Sequence, residues 1–434
     1  MKVYKFGGAS VRNADGIKNL VSIVSRELSC TDNPSDVLVV VVSAMGKTTN
    51  ALERLVSLAL AGEEELMLRQ LNDIREYHYG IVDALFPCGH IFLQNKLEAV
   101  LQHILGLCKA ALIDKPEYDR FYDSVVSCGE LMSTRIISYV LDRESLLNVY
   151  LDMTTLLRTD DTYREARPDI QASGSSLRKY IQEHPANLYV AQGFIGGTKN
   201  GEPTTLGREG SDYTAALIAN MLDAESVTIW KDVPGILNAD PRLFQQTTLI
   251  NELTYFDAVE LAYSGAQVIH PKTIRPLENK KIPLYVKPFL APEEAGSVIK
   301  ETTARPIDVP VYIWRKNQVL VTLRAKDFSF VLEDSLNRLF EVIYRNRLKV
   351  SLIQSSAVTI SVCVDKSRYL SAALKELGDD YKVTFNEGLS LLTIRGTTPE
   401  ILAQQTAGKT ILLSQTTRRT ARFVIKEEEQ ISVG

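Results

Sequence analysis

Charge of one sign is what this chain most lacks. Its 49 basic and 53 acidic residues leave a formal net charge of −4, too small to favour nucleic acid or an anionic membrane surface. No apolar run approaches the roughly 20 residues a bilayer-crossing helix needs. The opening MKVYKFGGAS enters a strand pattern at once, without the apolar centre of a secretory leader. Five cysteines (Cys30, Cys88, Cys108, Cys128, Cys363) form no CxxC pair, which suits reduced thiols. Five histidines include no HExxH and no ligand cluster, which argues against zinc. GxxxxGK[ST] is missing, so there is no Walker A loop. These absences lead us to expect a cytoplasmic protein with no nucleic-acid or membrane partner and no resident metal.

What is present is phosphate-handling equipment. With 434 residues the chain exceeds the size at which single cores stop growing, so two or three domains are expected. The stretch Thr205 to Arg242 opens with a polar glycine-rich turn holding Gly207, Arg208, Gly210, Ser211 and Asp212. The spacing of Ala215, Leu217, Ile218, Ala219, Met221 and Leu222 predicts a helix after it. Val227 to Trp230 predicts a buried strand, ending in Lys231-Asp232. Amides at a helix N-terminus favour anions, because unpaired N–H groups and the helix dipole act together.

Earlier segments repeat the theme. Val3 to Phe6 reads as a strand, and Gly7-Gly8-Ala9-Ser10 as a turn into a helix running to Leu28, with Lys5 directing a cation at the turn. A Gly-Gly pair by itself more often marks only a tight turn. Val37 to Val42 reads as a strand buried on both faces, and Ser43 to Asn50 as a loop opening onto a helix. Ligands of open α/β sheets bind beyond the carboxyl ends of the strands, where this loop lies. Dense helical patterning covers 51–85 and 92–112, where His78 and His103 read as packing or surface residues. Cys128, with no histidine nearby, reads as a small packing residue. Glu130 reads either as first-turn helix stabilisation or as a counter-charge for a substrate ammonium. Further strands are expected at 148–152 and 188–193, a hairpin around Gly196 to Gly201, a helix capped by Thr254, and a strand at 282–286. Residues 292–310 read as a linker. From Val311 the order becomes β-α-β-β-α-β, a ferredoxin-like sequence, and a weaker copy follows between Leu389 and Ile425.

With KFGGAS at 5–10, VVSAMGKTTN at 41–50, SCGELMS at 127–133, TTLGREGSDYTA at 204–215 and DVPGILNADPR at 232–242, the chain resembles the aspartokinases of the amino-acid kinase family over nearly its whole length. The resemblance implies a three-layer α/β kinase domain with a mostly parallel central sheet over 1–300. It also implies ferredoxin-like ACT modules over 311–386 and, shortened, over 387–434. It implies transfer of the γ-phosphoryl group of ATP, with Mg²⁺ carried on ATP, to the β-carboxylate of L-aspartate. That is the first step toward lysine, threonine and methionine, here in a monofunctional chain. Lys5 and Asp212 would be catalytic. Gly7, Gly8, Lys231, Asp232, Leu237 and Arg242 would meet ATP, and Thr49, Glu130 and Arg208 would hold aspartate. No protein-bound metal site is implied, and pairing through the ACT-like modules implies at least a homodimer. A kinase for another acid and a non-catalytic amino-acid sensor are the competing readings.

Three departures stand out. Gln267 occupies a position where many relatives have lysine, and Lys231 is the expected substitute, with Lys272 second. Ser351 and Ala357 stand where lysine-sensitive relatives carry acidic residues. Asp334 replaces the usual glycine before the first module's helix.

Overall fold

The structure, a computed structural model, describes residues 1–30, 36–265, 269–304, 307–326 and 333–427. Gln267 and the side chain of Asp334 lie outside the described residues. The chain forms two compact units: Met1–Ile236 with Leu249–Val259 and Val268–Ala304, and Leu237–Thr248 with Glu260–Gln267 and Arg305–Gly434.

The first unit is built on β1 (Lys2–Phe6), β2 (Leu38–Val42), β3 (Val149–Leu151), β4 (Leu188–Gln192), the hairpin β5 (Ile195–Gly197) and β6 (Pro203–Thr205), then β7 (Ser226–Lys231), β8 (Glu252–Thr254), β9 (Leu284–Pro288) and β10 (Ser297–Lys300). Eight of these strands make one sheet in the order β3-β4-β2-β1-β7-β9-β10-β8, parallel except where β10 meets β9. The uninterrupted valines of β2 are explained by this placement: the strand is interior, and all five of its side chains are buried.

Side-chain alternation divides the sheet's two faces. Tyr4, Phe6, Val40, Val42, Val190 and Trp230 join the large core under the helices Ala14–Ser29 and Cys128–Arg143. Lys5, paired in register with Ile229, points to the opposite face, as does Lys231 two residues further along β7. That face is covered by the helices Gly210–Met221, Ile170–Glu183 and Pro271–Asn279. The result is three layers, helix on sheet on helix.

Several boundaries differ from expectation for local reasons. The first helix begins at Ala14, because the Asn13 side chain accepts from Gly16 N at 2.9 Å and so caps it there. The Gly7-Gly8 turn therefore leads into a loop, not directly into a helix. Patterning over 51–85 resolves into Thr48–Ala61 and Glu64–Leu85, separated at Gly62, which adopts φ +80°. The expected linker contains β10. Ser297 anchors it by donating to Ile250 O at 2.6 Å and accepting from Ile236 N at 2.8 Å.

The second unit holds β11 (Val311–Ala325), β12 (Val350–Ser355), β13 (Thr359–Asp365), β14 (Tyr381–Arg395), β15 (Ile411–Thr416) and β16 (Thr420–Lys426) in one antiparallel sheet, ordered β12-β13-β11-β14-β16-β15. Helices Glu333–Arg345, Leu370–Asp380 and Pro399–Thr406 complete it. The expected module boundary at 386/387 falls inside β14. Both β11 and β14 serve both modules: Thr322–Ala325 pair with Tyr381–Thr384, whereas Val311–Arg315 pair with Leu391–Arg395. The second module is thus less shortened than 387–434 suggests, since it draws its first strand from Val311–Arg315. Residues 237–248 and 260–267, expected in the kinase domain, cluster with this unit; Asn238 Nδ2 donates to Pro310 O at 2.9 Å and Phe244 stacks on Tyr312.

At the register shift in β11, Gln318 is fully buried. Its amide nitrogen donates to Asp365 Oδ1 at 2.6 Å, and its oxygen accepts from Ser351 Oγ at 3.0 Å. Ser351 is therefore part of a core polar knot, while Ala357 is exposed.

Candidate active site

Parallel strands β1, β2 and β7 end side by side, and three loops leave them on the same edge. Beyond β1, Gly8 passes so close to the loop after β2 that a Cβ on it would lie 2.6 Å from Ala44 O. Gly46 N donates to Gly8 O at 2.9 Å, locking the two loops together. Gly7 lies beneath the Lys5 ammonium, whose Nζ would be 3.5 Å from a Cβ there. Glycine is required at Gly8 by this close approach.

The charged centre lies on the face covered by helix Gly210–Met221. Asp212, in that helix's first turn, is 1% exposed. Its Oδ1 pairs with Lys5 Nζ at 2.5 Å and its Oδ2 with Lys231 Nζ at 3.3 Å. One carboxylate therefore bridges the ammonium groups of two adjacent strands. Burial by itself would raise its pKa, but Lys231 and Lys5 together hold it below the usual aspartate value. Lys231 is affected in the converse way: burial pulls its pKa down, and Asp212 and Glu209 more than restore it. The triad is two lysines on one buried carboxylate, with Glu209 as a second acid acting on Lys231.

Glu130 approaches from the other layer, in the first turn of Cys128–Arg143. Its Oε1 accepts from Ala44 N at 3.0 Å, and its Oε2 is shielded from solvent without a hydrogen-bond partner. Burial pushes its pKa up to about 8, against the Ala44 N–H and the Lys5 charge. A buried carboxylate with an open oxygen can take a cationic partner. Thr49 lies in the first turn of Thr48–Ala61, half-buried, at a helix start with no side-chain cap. Arg208 is exposed in the turn before Gly210.

The nucleotide-side residues divide. Lys231 belongs to the triad, and Asp232 follows it as an exposed residue. Leu237 and Arg242 belong to the second unit's Leu237–Thr248 segment, where Arg242 Nη2 pairs with Asp240 Oδ2 at 2.7 Å. Among the described residues no group of three or more His, Cys, Asp or Glu is arranged to hold a metal ion.

Two residues escaped the sequence reading. Asp123, 0% exposed, braces the turn from below. Its Oδ2 accepts from Thr205 N at 2.8 Å and Arg164 N at 2.9 Å, and its Oδ1 from Thr205 Oγ1 at 2.7 Å. Burial lifts its pKa to about 6. The available signal was an aspartate among Phe121, Tyr122, Val125 and Val126, the apolar residues of its helix. The other is Glu209, at φ +52° just before Gly210, half-buried with its Oε2 shielded from solvent and without a hydrogen-bond partner. A carboxylate between glycines in TLGREGSD was its signal.

Residues 1–288 match the amino acid kinase family. The chain is 33% identical to the lysine-sensitive aspartokinase 3 of Escherichia coli over 91% of this chain and 86% of that protein. It is 31% identical to the chloroplastic aspartokinase 1 of Arabidopsis thaliana, over 90% of this chain and 68% of that protein. Its fold resembles the crystal structure of E. coli aspartokinase III with aspartate and ADP in the R-state, with a TM-score of 0.84 at 30% identity, covering 98% of this chain and 96% of that one. The T-state structure of the same enzyme with lysine and aspartate gives a TM-score of 0.74 over the same shares. The chain belongs to the amino acid kinase family and, within it, to the aspartokinases.

Proposed function

We propose that this chain phosphorylates L-aspartate, transferring the γ-phosphoryl group of MgATP to the β-carboxylate to give 4-phospho-L-aspartate and ADP. The observation that carries this reading is the carboxylate of Asp212 held between Lys5 and Lys231, above interlocked glycine loops at the carboxyl edge of the sheet. Phosphoryl transfer asks for in-line placement and neutralisation of the charge spreading over the phosphoryl oxygens. A β-carboxylate oxygen attacks the γ-phosphorus, the bond to the β,γ-bridging oxygen breaks, and ADP leaves with the electron pair. No proton need be removed from the nucleophile, which explains why a site without histidine suffices.

In this reading Lys5 stabilises the transferring group, and Asp212 orients both lysines. The amides of Gly7 and Gly8 line the phosphate path, and Lys231 and Asp232 serve the nucleotide. Arg208 takes the substrate's α-carboxylate in the bidentate geometry a guanidinium suits. Glu130 takes the ammonium on its open oxygen, and Thr49 adds a hydroxyl. Mg²⁺ enters as part of the substrate, held mainly by phosphate and water. The ACT-like modules of the second unit pair between chains, giving at least a dimer. The test is ADP release with L-aspartate, L-glutamate or no acceptor. Release that depends on aspartate supports the proposal. Equal release with glutamate, or release without acceptor, refutes it.

A further inference from the structure

Arg208 is exposed, so the direction of its guanidinium depends on the backbone that carries it. Two segments fix that backbone. Thr205 ends β6 just before the turn, and its carbonyl accepts from Ala166 N at 3.0 Å. Gly207, at φ +79°, lies against the peptide of Arg164, where a Cβ would be 3.0 Å from Arg164 O. Arg164 is itself left-handed, at φ +68°, a conformation that persists in an L-residue where its surroundings impose it. One buried side chain grips both segments. Asp123 accepts the Thr205 and Arg164 amides on one oxygen and the Thr205 hydroxyl on the other. All three donors are neutral, and they lie 82 and 41 positions away along the chain. The helix that bears Asp123, Tyr118–Val126, continues through the single residue Ser127 into Cys128–Arg143, whose first turn carries Glu130. Asp123 thus ties the Arg208 turn to the element that presents Glu130.

We propose that Asp123 is a positioning residue for aspartate capture: it sets the Arg208 turn at a fixed distance from Glu130, so that both charged ends of the substrate's amino-acid group are met at once. The inference rests on the roles given above to Arg208 and Glu130. Asp123 touches no substrate and acts through Thr205 and Arg164. Asp212 stands downstream of the same turn, but in a helix buried at every position except Tyr213, so packing holds it independently. Disturbing Asp123 therefore weakens aspartate capture and spares the nucleotide side.

The test measures the KM for L-aspartate and kcat at pH 8, and ADP affinity by calorimetry, for the parent and for Asp123→Leu, Asp123→Asn and Thr205→Val. At that pH the parent carboxylate is ionised, since burial lifts its pKa only to about 6. Leucine nearly matches aspartate in outline and accepts nothing, so the KM should rise about tenfold or more, as misplaced binding groups cause, with kcat within about threefold and ADP affinity within about twofold. Asparagine can accept both amides on its oxygen and donate to the Thr205 hydroxyl, so its KM should stay within about threefold of the parent. Thr205→Val keeps the shape and loses one hydrogen bond, so it should raise the KM about threefold, and it decides the matter if Asp123→Leu does not fold. In an Arg208→Ala background Asp123→Leu should add no more than about twofold, because both changes remove the same interaction. A parent-like KM in Asp123→Leu, or in Thr205→Val where the leucine variant does not fold, overturns the proposal. So does a loss shared equally by KM, kcat and ADP affinity, which would make Asp123 a packing residue only. Asp123→Asn as damaging as Asp123→Leu would point to charge and not to the loop contacts, and full additivity with Arg208→Ala would show another route; either result also overturns it. If Arg208→Ala alone leaves the KM unchanged, the aspartate reading of Arg208 fails and takes this inference with it. A failure of this inference alone leaves the KM of Arg208→Ala raised.

Discussion

Replacing Glu130 by glutamine should make the protein more stable and the enzyme worse, with a pH dependence that identifies the cause. The carboxyl titrates at about 8 in the folded chain instead of its ordinary 4.5, because burial disfavours its charge. Below pH 4.5 the group is protonated in folded and unfolded chains alike, so it has no differential effect. Between 4.5 and about 8 the unfolded chain ionises and the folded chain resists, so stability falls as pH rises through that window. Each pKa unit is worth about 1.36 kcal/mol, so the full fall is at most about 5 kcal/mol. Glutamine never ionises. Glu130→Gln should therefore match the parent within about 1 kcal/mol at pH 5 and exceed it by several kcal/mol at pH 8.5. The two tryptophans, Trp230 and Trp314, lie in different units. A Trp314→Phe background thus lets Trp230 fluorescence report urea unfolding of the first unit alone. In the proposed function Glu130→Gln also removes the counter-charge for the substrate ammonium, a loss of about 2–5 kcal/mol, so the KM for aspartate should rise at least about 30-fold. In the parent, that KM should fall from pH 6 to pH 8 as Glu130 becomes easier to ionise; in the variant it should stay flat. A stability difference equal at pH 5 and pH 8.5, or a variant with the parent's KM, would refute the reasoning.

Three other outcomes are expected. Arg208→Ala should raise the KM for aspartate by one to two orders of magnitude while ADP affinity holds, on the scale of a lost charge-assisted contact; an unchanged KM removes Arg208 from the substrate site. Lys231→Met should lower kcat by about 10²-fold or more, with Gln267→Lys in that background restoring part of it; parent-like turnover would shift attention to Lys272. L-Lysine should inhibit weakly or not at all through a pocket at Ser351 and Ala357, because a buried ammonium without a counter-charge is prohibitive and the Ser351 hydroxyl is committed to Gln318; micromolar inhibition abolished by substitutions at these two positions would refute this.

Most of what positions the site was legible because it rests on short-range rules. The valines of β2 marked an interior strand, and Ala215 to Met221 marked the helix whose first turn carries Asp212. Lys5 and Asp212 were named together only by the resemblance to the aspartokinases, and the structure brings them to 2.5 Å of one another. What escaped depends on long-range or backbone detail. Asp123 reaches Thr205 across 82 positions, and no local pattern encodes that. The left-handed backbone at Glu209 follows from its packing, and among neighbouring glycines its carboxylate drew no notice. β10 was hidden by the Pro292, Glu293, Glu294 and Gly296 that precede it, and its ladder to β8 spans only three residue pairs. In the sequence β11 reads as a short strand over Val319–Leu323 alone and β14 as two, Tyr381–Phe385 and Leu389–Ile394, because the polar stretch Arg315 to Gln318 and the run Asn386 to Gly388 interrupt the apolar alternation. The structure carries the backbone through both interruptions, with a bulge at the first.

That continuity has a mechanical meaning. β11 and β14 are each 15 residues long and hydrogen-bonded to one another across both modules. A ligand that stiffens the Val319–Leu323 end of β11 tugs on the same peptide chain that forms Val311–Arg315, with only the bulge around Gln318 between them to absorb the displacement. The modules therefore behave as two ends of a single splint: amide protons of β11 and β14 should exchange with solvent in one shared opening event. A chain cut at 386/387 would sever β14 in mid-strand, leaving two frayed halves in place of two complete modules.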